Sequence, residues 1–185
     1  MAEQRRSILR NVAGGSAGNL VEWFGWYVYS AFALYFAPAF FPKGDQTAQL
    51  LQTAAIFAVG FLMGPIGAWL MGVYADHRGR NGGLTLSVSL MCVGSLLIAV
   101  APTYAQAGLL SPAVLLIARI IQGLSLGGEY GSSATYMSEM ADRVRRGFWS
   151  SFLYVTIIGG QLSALALLVV LQVILGDGAM QAWGW

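Results

Sequence analysis

The fold class that this 185-residue sequence predicts is an all-α membrane protein with five transmembrane helices, and three observations predict it. Hydrophobic residues make up 57% of the chain and charged residues only 10%, where a soluble domain carries about a quarter charged residues. The apolar residues fall into five long runs separated by short polar stretches. The runs lack the polar–apolar alternation, in segments of about ten residues, that marks a barrel strand, which leaves the helix as the spanning structure.

Each crossing needs about 20 mostly apolar residues, because a helix rises about 1.5 Å per residue and the hydrocarbon core is about 30 Å thick. The first run, Val12 to Phe41, is long enough to tilt or bend. Arginines precede it, as in a signal peptide, but the run is too long and four more follow. The second, Leu50 to Tyr74, carries Pro65 mid-span, which predicts a bend. Its Gly60, Gly64, Ala68 and Gly72 recur every fourth residue. The third, Leu84 to Ala101, holds the lone Cys92, so no intrachain disulfide or cysteine metal cluster is available. The fourth, Ala113 to Met137, repeats the small-residue stripe with Gly123, Gly127 and Gly131. Such stripes let helix backbones approach closely in lipid. The fifth, Phe148 to Leu175, bears Tyr154, Gln161 and Ser163, with Gly159 and Gly160 as a second place to bend. Residues 1–11 read as a cytoplasmic N-terminus. Residues 176–185 read as a periplasmic tail leading toward a sixth helix that the chain lacks.

Basic residues orient the bundle. Arg5, Arg6, Arg10, Arg78, Arg80, Arg143, Arg145 and Arg146 fall on one side, against Lys43 on the other. The positive-inside rule makes the first side cytoplasmic. Because the positive charge is accounted for by topology and anionic headgroups, nucleic-acid binding is not expected.

Three charges remain inside the runs: Glu22, Arg119 and Glu129. Charged residues within spans usually face a bundle interior or wet cavity and mark a pathway. Two readings of Glu22 stand. It lies at the cytoplasmic headgroups with Trp23 and Trp26 as interfacial anchors, or it lies on a cavity wall. The second is favoured by the ten aromatic residues among the nineteen from Trp23 to Phe41, too many and too spread in depth for one belt. At 100° per residue Asn19, Glu22, Trp26 and Tyr29 share one face. Arg119 and Glu129 are ten residues, about 15 Å, apart on one helix and cannot pair with each other. Arg119 therefore reads either as a staple to another helix or as a coupling residue. No metal-ligand cluster, nucleophile–base pair or phosphate loop is evident, so neither an enzyme nor a cofactor is expected. His77, the single histidine, reads as a solvated loop residue.

The stretch GVYADHRGRNGG, with Gly72, Asp76, Gly79 and Arg80, resembles the gating loop between helices 2 and 3 of the major facilitator superfamily. RIIQGLSLGGEYG, with Arg119, Gln122, Gly123 and Gly127, resembles that superfamily's helix 4. GNLVEW, AVGFLMGPIGAWL, RIIQGLSLGGEYGSSATYMSEM, IGGQL and WGW together resemble its metabolite:proton symporters, over essentially the whole chain. The resemblance implies a twelve-helix fold of two six-helix halves in a bacterial inner membrane, importing a dicarboxylate such as α-ketoglutarate with protons. Shikimate, citrate, proline or betaine are the alternative cargoes.

In that frame Glu22 and Glu129 are the proton-coupling candidates. Arg119, Asn19, Trp26, Tyr29, Gln122, Tyr154 and Gln161 are the substrate or coupling candidates. Three positions depart from the family pattern: Gly25 replaces an aspartate, Gly64 an arginine and Asn81 a basic residue. If the acid and base pair in relatives, losing both is charge-neutral; if the arginine holds the substrate carboxylate, anion binding is weakened. Five helices leave a three-plus-three inverted repeat incomplete. The chain alone thus reads as a fragment, a truncated product or one piece of a split transporter whose partner is the C-terminal half, and otherwise as a non-transporting membrane segment.

Overall fold

A computed structural model describes residues 2–140 and 146–182 of the chain. It contains α1 (Ala2–Phe40), α2 (Gln46–Arg78), α3 (Arg80–Ala99), the short α4 (Tyr104–Ala107), α5 (Leu110–Met140) and α6 (Arg146–Met180), with no strand among the described residues. Arg143 and Arg145 lie outside the described residues, as do the side chains of Arg5, Arg6, Arg10, Arg80, Asn81 and Arg146 and the surroundings of Gly131.

Three helical segments among the described residues are long and apolar enough to cross a membrane: Gln46–Arg78, Leu110–Glu129 and Leu153–Gly176. In α3 the apolar stretch Thr85–Ala99 is shorter. The α1 helix is longer but less apolar, because Asn19, Glu22 and amphipathic Trp and Tyr side chains interrupt it.

Helix α5 packs on α2 and α3, while α1 packs mainly on α6. The glycine stripes account for the first contact. A Cβ on Gly123 would run into the Gly60 carbonyl and one on Gly127 into the Gly64 carbonyl, so only glycine permits this backbone approach. Gly72 takes no part: it is exposed and has open space around it, the stripe having rotated off the contact face by that point. At the end of the bundle where α1 finishes, Phe32, Phe36, Phe40, Phe41, Ala101, Leu115 and Met180 belong to one buried cluster.

Neither Pro65 nor the Gly159–Gly160 pair ends its helix, and the non-helical positions are Gly79 and Gly176. Helix α2 runs unbroken through Pro65, although proline there withholds one backbone hydrogen bond. Gly159 and Gly160 do not interrupt α6. Gly160 is instead a contact point, since its Cβ would come within 2.8 Å of the Leu20 carbonyl oxygen and of the Phe24 amide nitrogen on α1. The non-helical residue of α6 is Gly176, at φ 72° and ψ 167°. The polar stretch between the second and third runs is likewise nearly all helix. Only Gly79, at φ 82°, separates α2 from α3, a conformation that favours glycine. The opening of α2 is fixed by Asp45, whose Oδ1 accepts from the Thr47 amide at 3.0 Å.

Candidate functional site

Asn19, Glu22, Trp26 and Tyr29 leave α1 on one side, and all four are buried. They define layers along the bundle. The layer nearest the N-terminal end of α1 is acidic. Glu22 faces Glu129 of α5 closely enough for the two carboxyl groups to act on each other. Glu129 Oε1 lies against α1 one turn earlier, 3.0 Å from where a Cβ on Gly18 would stand. Both residues are nearly inaccessible, at 1% and 3% exposure, and neither Glu22 oxygen has a hydrogen-bond donor. Asn19 fixes the register of α1 on α6, donating from Nδ2 to Thr156 Oγ1 at 2.6 Å and to the Leu153 carbonyl at 3.4 Å.

The next layer, toward the C-terminal end of α1, is aromatic and cationic. The Arg119 guanidinium sits 3.7 Å from the Tyr29 ring centroid, 5.0 Å from Trp26 and 5.9 Å from Phe57. Such contacts each contribute about 0.5–2 kcal/mol. Arg119 is 1% exposed, yet its Nε and Nη1 have no acceptor. The staple to a carbonyl or carboxylate that the sequence admits is therefore not formed by these nitrogens; aromatic faces hold the cation instead. Tyr29 is itself anchored, donating from its hydroxyl to the Thr53 carbonyl at 3.1 Å.

Between these layers lies a pocket of about 500 Å³, lined by Trp23, Phe61, Gly64, Pro65, Leu126 and Ile157 among others. The placement follows from helix register: on α1 Trp23 comes between Glu22 and Trp26, and on α5 Leu126 comes between Arg119 and Glu129. Gly64 leaves the pocket wall bare, with nothing within 4 Å of its Cβ position. Gly25 looks elsewhere, toward Met91 of α3, whose Cε would lie 2.6 Å from an added Cβ.

Other candidates stand apart from this constellation. Gln122 is buried, but its Nε2 donates to Ser95 Oγ at 3.1 Å, tying α5 to α3. Tyr154 is 65% exposed and points away from the α1 contact made by Leu153 and Thr156. Gln161 is half-buried on the same helix. In the α2–α3 connection Gly72, Asp76 and Gly79 are all exposed. His77, also exposed, donates from Nδ1 to the Val73 carbonyl at 2.8 Å. These connection residues do not converge on the buried charges. Phe57 and Phe61 belong to the constellation but escape the sequence reading; their spacing of four, facing the aromatic stripe of α1, is the signal that marks them.

Residues 14–185 match the family described as sugar (and other) transporter. The chain is 60% identical to the alpha-ketoglutarate permease of Escherichia coli (strain K12) over 174 residues, which are 94% of this chain and 40% of the permease. It is 38% identical to a citrate-proton symporter of Klebsiella pneumoniae over 170 residues, 92% of this chain and 38% of the symporter. The chain therefore spans about two fifths of the length of these relatives. Among solved structures it resembles the proton:xylose symporter XylE of the major facilitator superfamily, bound to 6-bromo-6-deoxy-D-glucose. The TM-score is 0.78 at 19% identity, covering 94% of this chain and 40% of that one, a likeness of fold.

Proposed function

The chain belongs to the sugar (and other) transporter family, and from that membership we propose that it forms the N-terminal part of a proton-coupled symporter for a small dicarboxylate such as α-ketoglutarate. Helices α1, α2, α3, α5 and α6 cross a bacterial inner membrane, with the N-terminus cytoplasmic as the arginine distribution requires. One observation carries the reading: a cation, Arg119, and two acids, Glu22 and Glu129, are buried in the same helices whose intervening residues Trp23 and Leu126 line the pocket. The cation attracts the anionic cargo. Two carboxylates at close range repel, so the pair takes up one proton between them and releases it when the helices separate. Transport itself requires the second half of the fold, since alternating access rocks two bodies about a central site.

The test is uptake of labelled α-ketoglutarate into vesicles by this chain joined to the remaining length of the E. coli permease. Gradient-dependent accumulation is the expected result. No uptake above background, with the protein present in the membrane, rejects the proposal.

A second reading draws on Gly64, which leaves the pocket wall without the charge that the resemblance puts there. In that reading the chain retains the helix packing of a transporter and does not move substrate. The same assay separates the two.

A further inference from the structure

Arg119 does not line the pocket, although the two are adjacent. Phe61 belongs to both surroundings. Its ring lines the pocket and also packs on the box that encloses Arg119, 4.6 Å from the Trp26 centroid and 5.2 Å from Phe57. The box walls Trp26 and Tyr29 are buried, at 1% and 4%, whereas Phe61 is 40% exposed. One turn further along α2, Gly64 presents open space on the pocket side. The ring thus has both the freedom and the room to leave the box.

We propose that the pocket and the aromatic box are two halves of one binding site for a small organic carboxylate, with the Phe61 ring as the movable wall between them. In the closed arrangement the guanidinium is stacked on rings, with Nε and Nη1 unpaired. Buried donors on a charged group are costly to leave without acceptors, and a carboxylate satisfies them with charge-assisted hydrogen bonds. When Phe61 swings toward Gly64, a carboxylate in the pocket reaches Arg119, and its carbon skeleton rests against Trp23, Leu126 and Ile157. A volume of about 500 Å³ falls within the range of small-molecule sites, about 300–1,000 Å³. The proposal rests on the carboxylate reading above and adds the residue that controls access to the cation.

The experiment is phenylglyoxal labelling of Arg119 in membranes containing the chain, followed by mass spectrometry. The exposed Arg78 serves as the internal standard for reagent. Phe61→Ala is expected to accelerate Arg119 labelling about tenfold, since two ring contacts are lost. Phe61→Trp is expected to slow it below the wild-type rate, and α-ketoglutarate is expected to suppress the gain in Phe61→Ala. Opposite effects of the two variants distinguish gate opening from unfolding, which accelerates labelling in both. Equal rates in all three proteins, or acceleration in both variants, overturn the gate. Acceleration in Phe61→Ala that α-ketoglutarate leaves unchanged overturns the anion site. Labelling does not depend on uptake, so a failure of transport in the joined protein rejects the symporter reading and leaves this result standing.

Discussion

Gly160→Ala and Gly159→Ala alter adjacent residues of one helix and are expected to change stability in opposite directions. At 160 the added methyl carbon would lie 2.8 Å from the Leu20 carbonyl oxygen, 2.8 Å from the Phe24 amide nitrogen and 3.1 Å from Trp23 Cβ. Two of these are backbone atoms of α1, which no rotamer change can move, so α1 and α6 must separate by several tenths of an ångström. Overpacking of this kind costs about 1–3 kcal/mol, exceeding the roughly 1 kcal/mol that alanine gains over glycine in a helix interior. At 159 the nearest atom is Leu20 Cδ1 at 3.5 Å, an ordinary contact with the end of a flexible side chain. There the propensity gain acts almost alone, about 0.5–1 kcal/mol of stabilisation. The assay is equilibrium unfolding of the purified chain in mixed micelles, followed by tryptophan fluorescence. Gly160→Ala as stable as Gly159→Ala would refute the claim that backbone contact with α1 sets the position of α6.

Glu22→Gln, made in the chain joined to the permease remainder, should abolish proton-driven accumulation of α-ketoglutarate while leaving exchange of internal for external substrate. Normal accumulation by that variant counts against a proton site at 22. Arg119→Lys keeps the charge but loses the planar group stacked on Tyr29 and Trp26; uptake should fall more than tenfold, corresponding to about 1.4 kcal/mol or more of the cation–π contribution, and initial-rate measurements check this. Asn19→Ala removes the bond to Thr156 and should destabilise the chain by about 0.5–1.5 kcal/mol in the same micelle unfolding assay. A shift much smaller than that would mean that α1 and α6 hold register without Asn19.

The sequence made the helices legible because long apolar runs alternate with short polar stretches, although three segments among the described residues are long and apolar enough to cross a membrane, and it made one face of α1 legible because Asn19, Glu22, Trp26 and Tyr29 follow the helical period. The burial of all four agrees with that face. Local pattern does not, however, specify the neighbour across an interface. Arg119 invites an acidic partner, and its surroundings are aromatic because Phe57 and Phe61 of α2 arrive from about sixty residues away in the chain. Gln122, grouped with Arg119 by motif, faces α3, since three residues along a helix turn a side chain by about 60°. Glycine was read most unevenly. The same residue type serves as a contact at 123, 127 and 160, as a bare pocket wall at 64, as open surface at 72 and as a break in the helical backbone at 79 and 176. Only the surrounding backbone decides among these uses.

Gly176, at φ 72° and ψ 167°, kinks α6 near its end, and beyond it Met180 is completely buried with Phe40, Phe41 and Leu115. The end of α6 is thereby tied to the end of α1 by one apolar side chain, and the seating of that side chain depends on a backbone conformation that favours glycine.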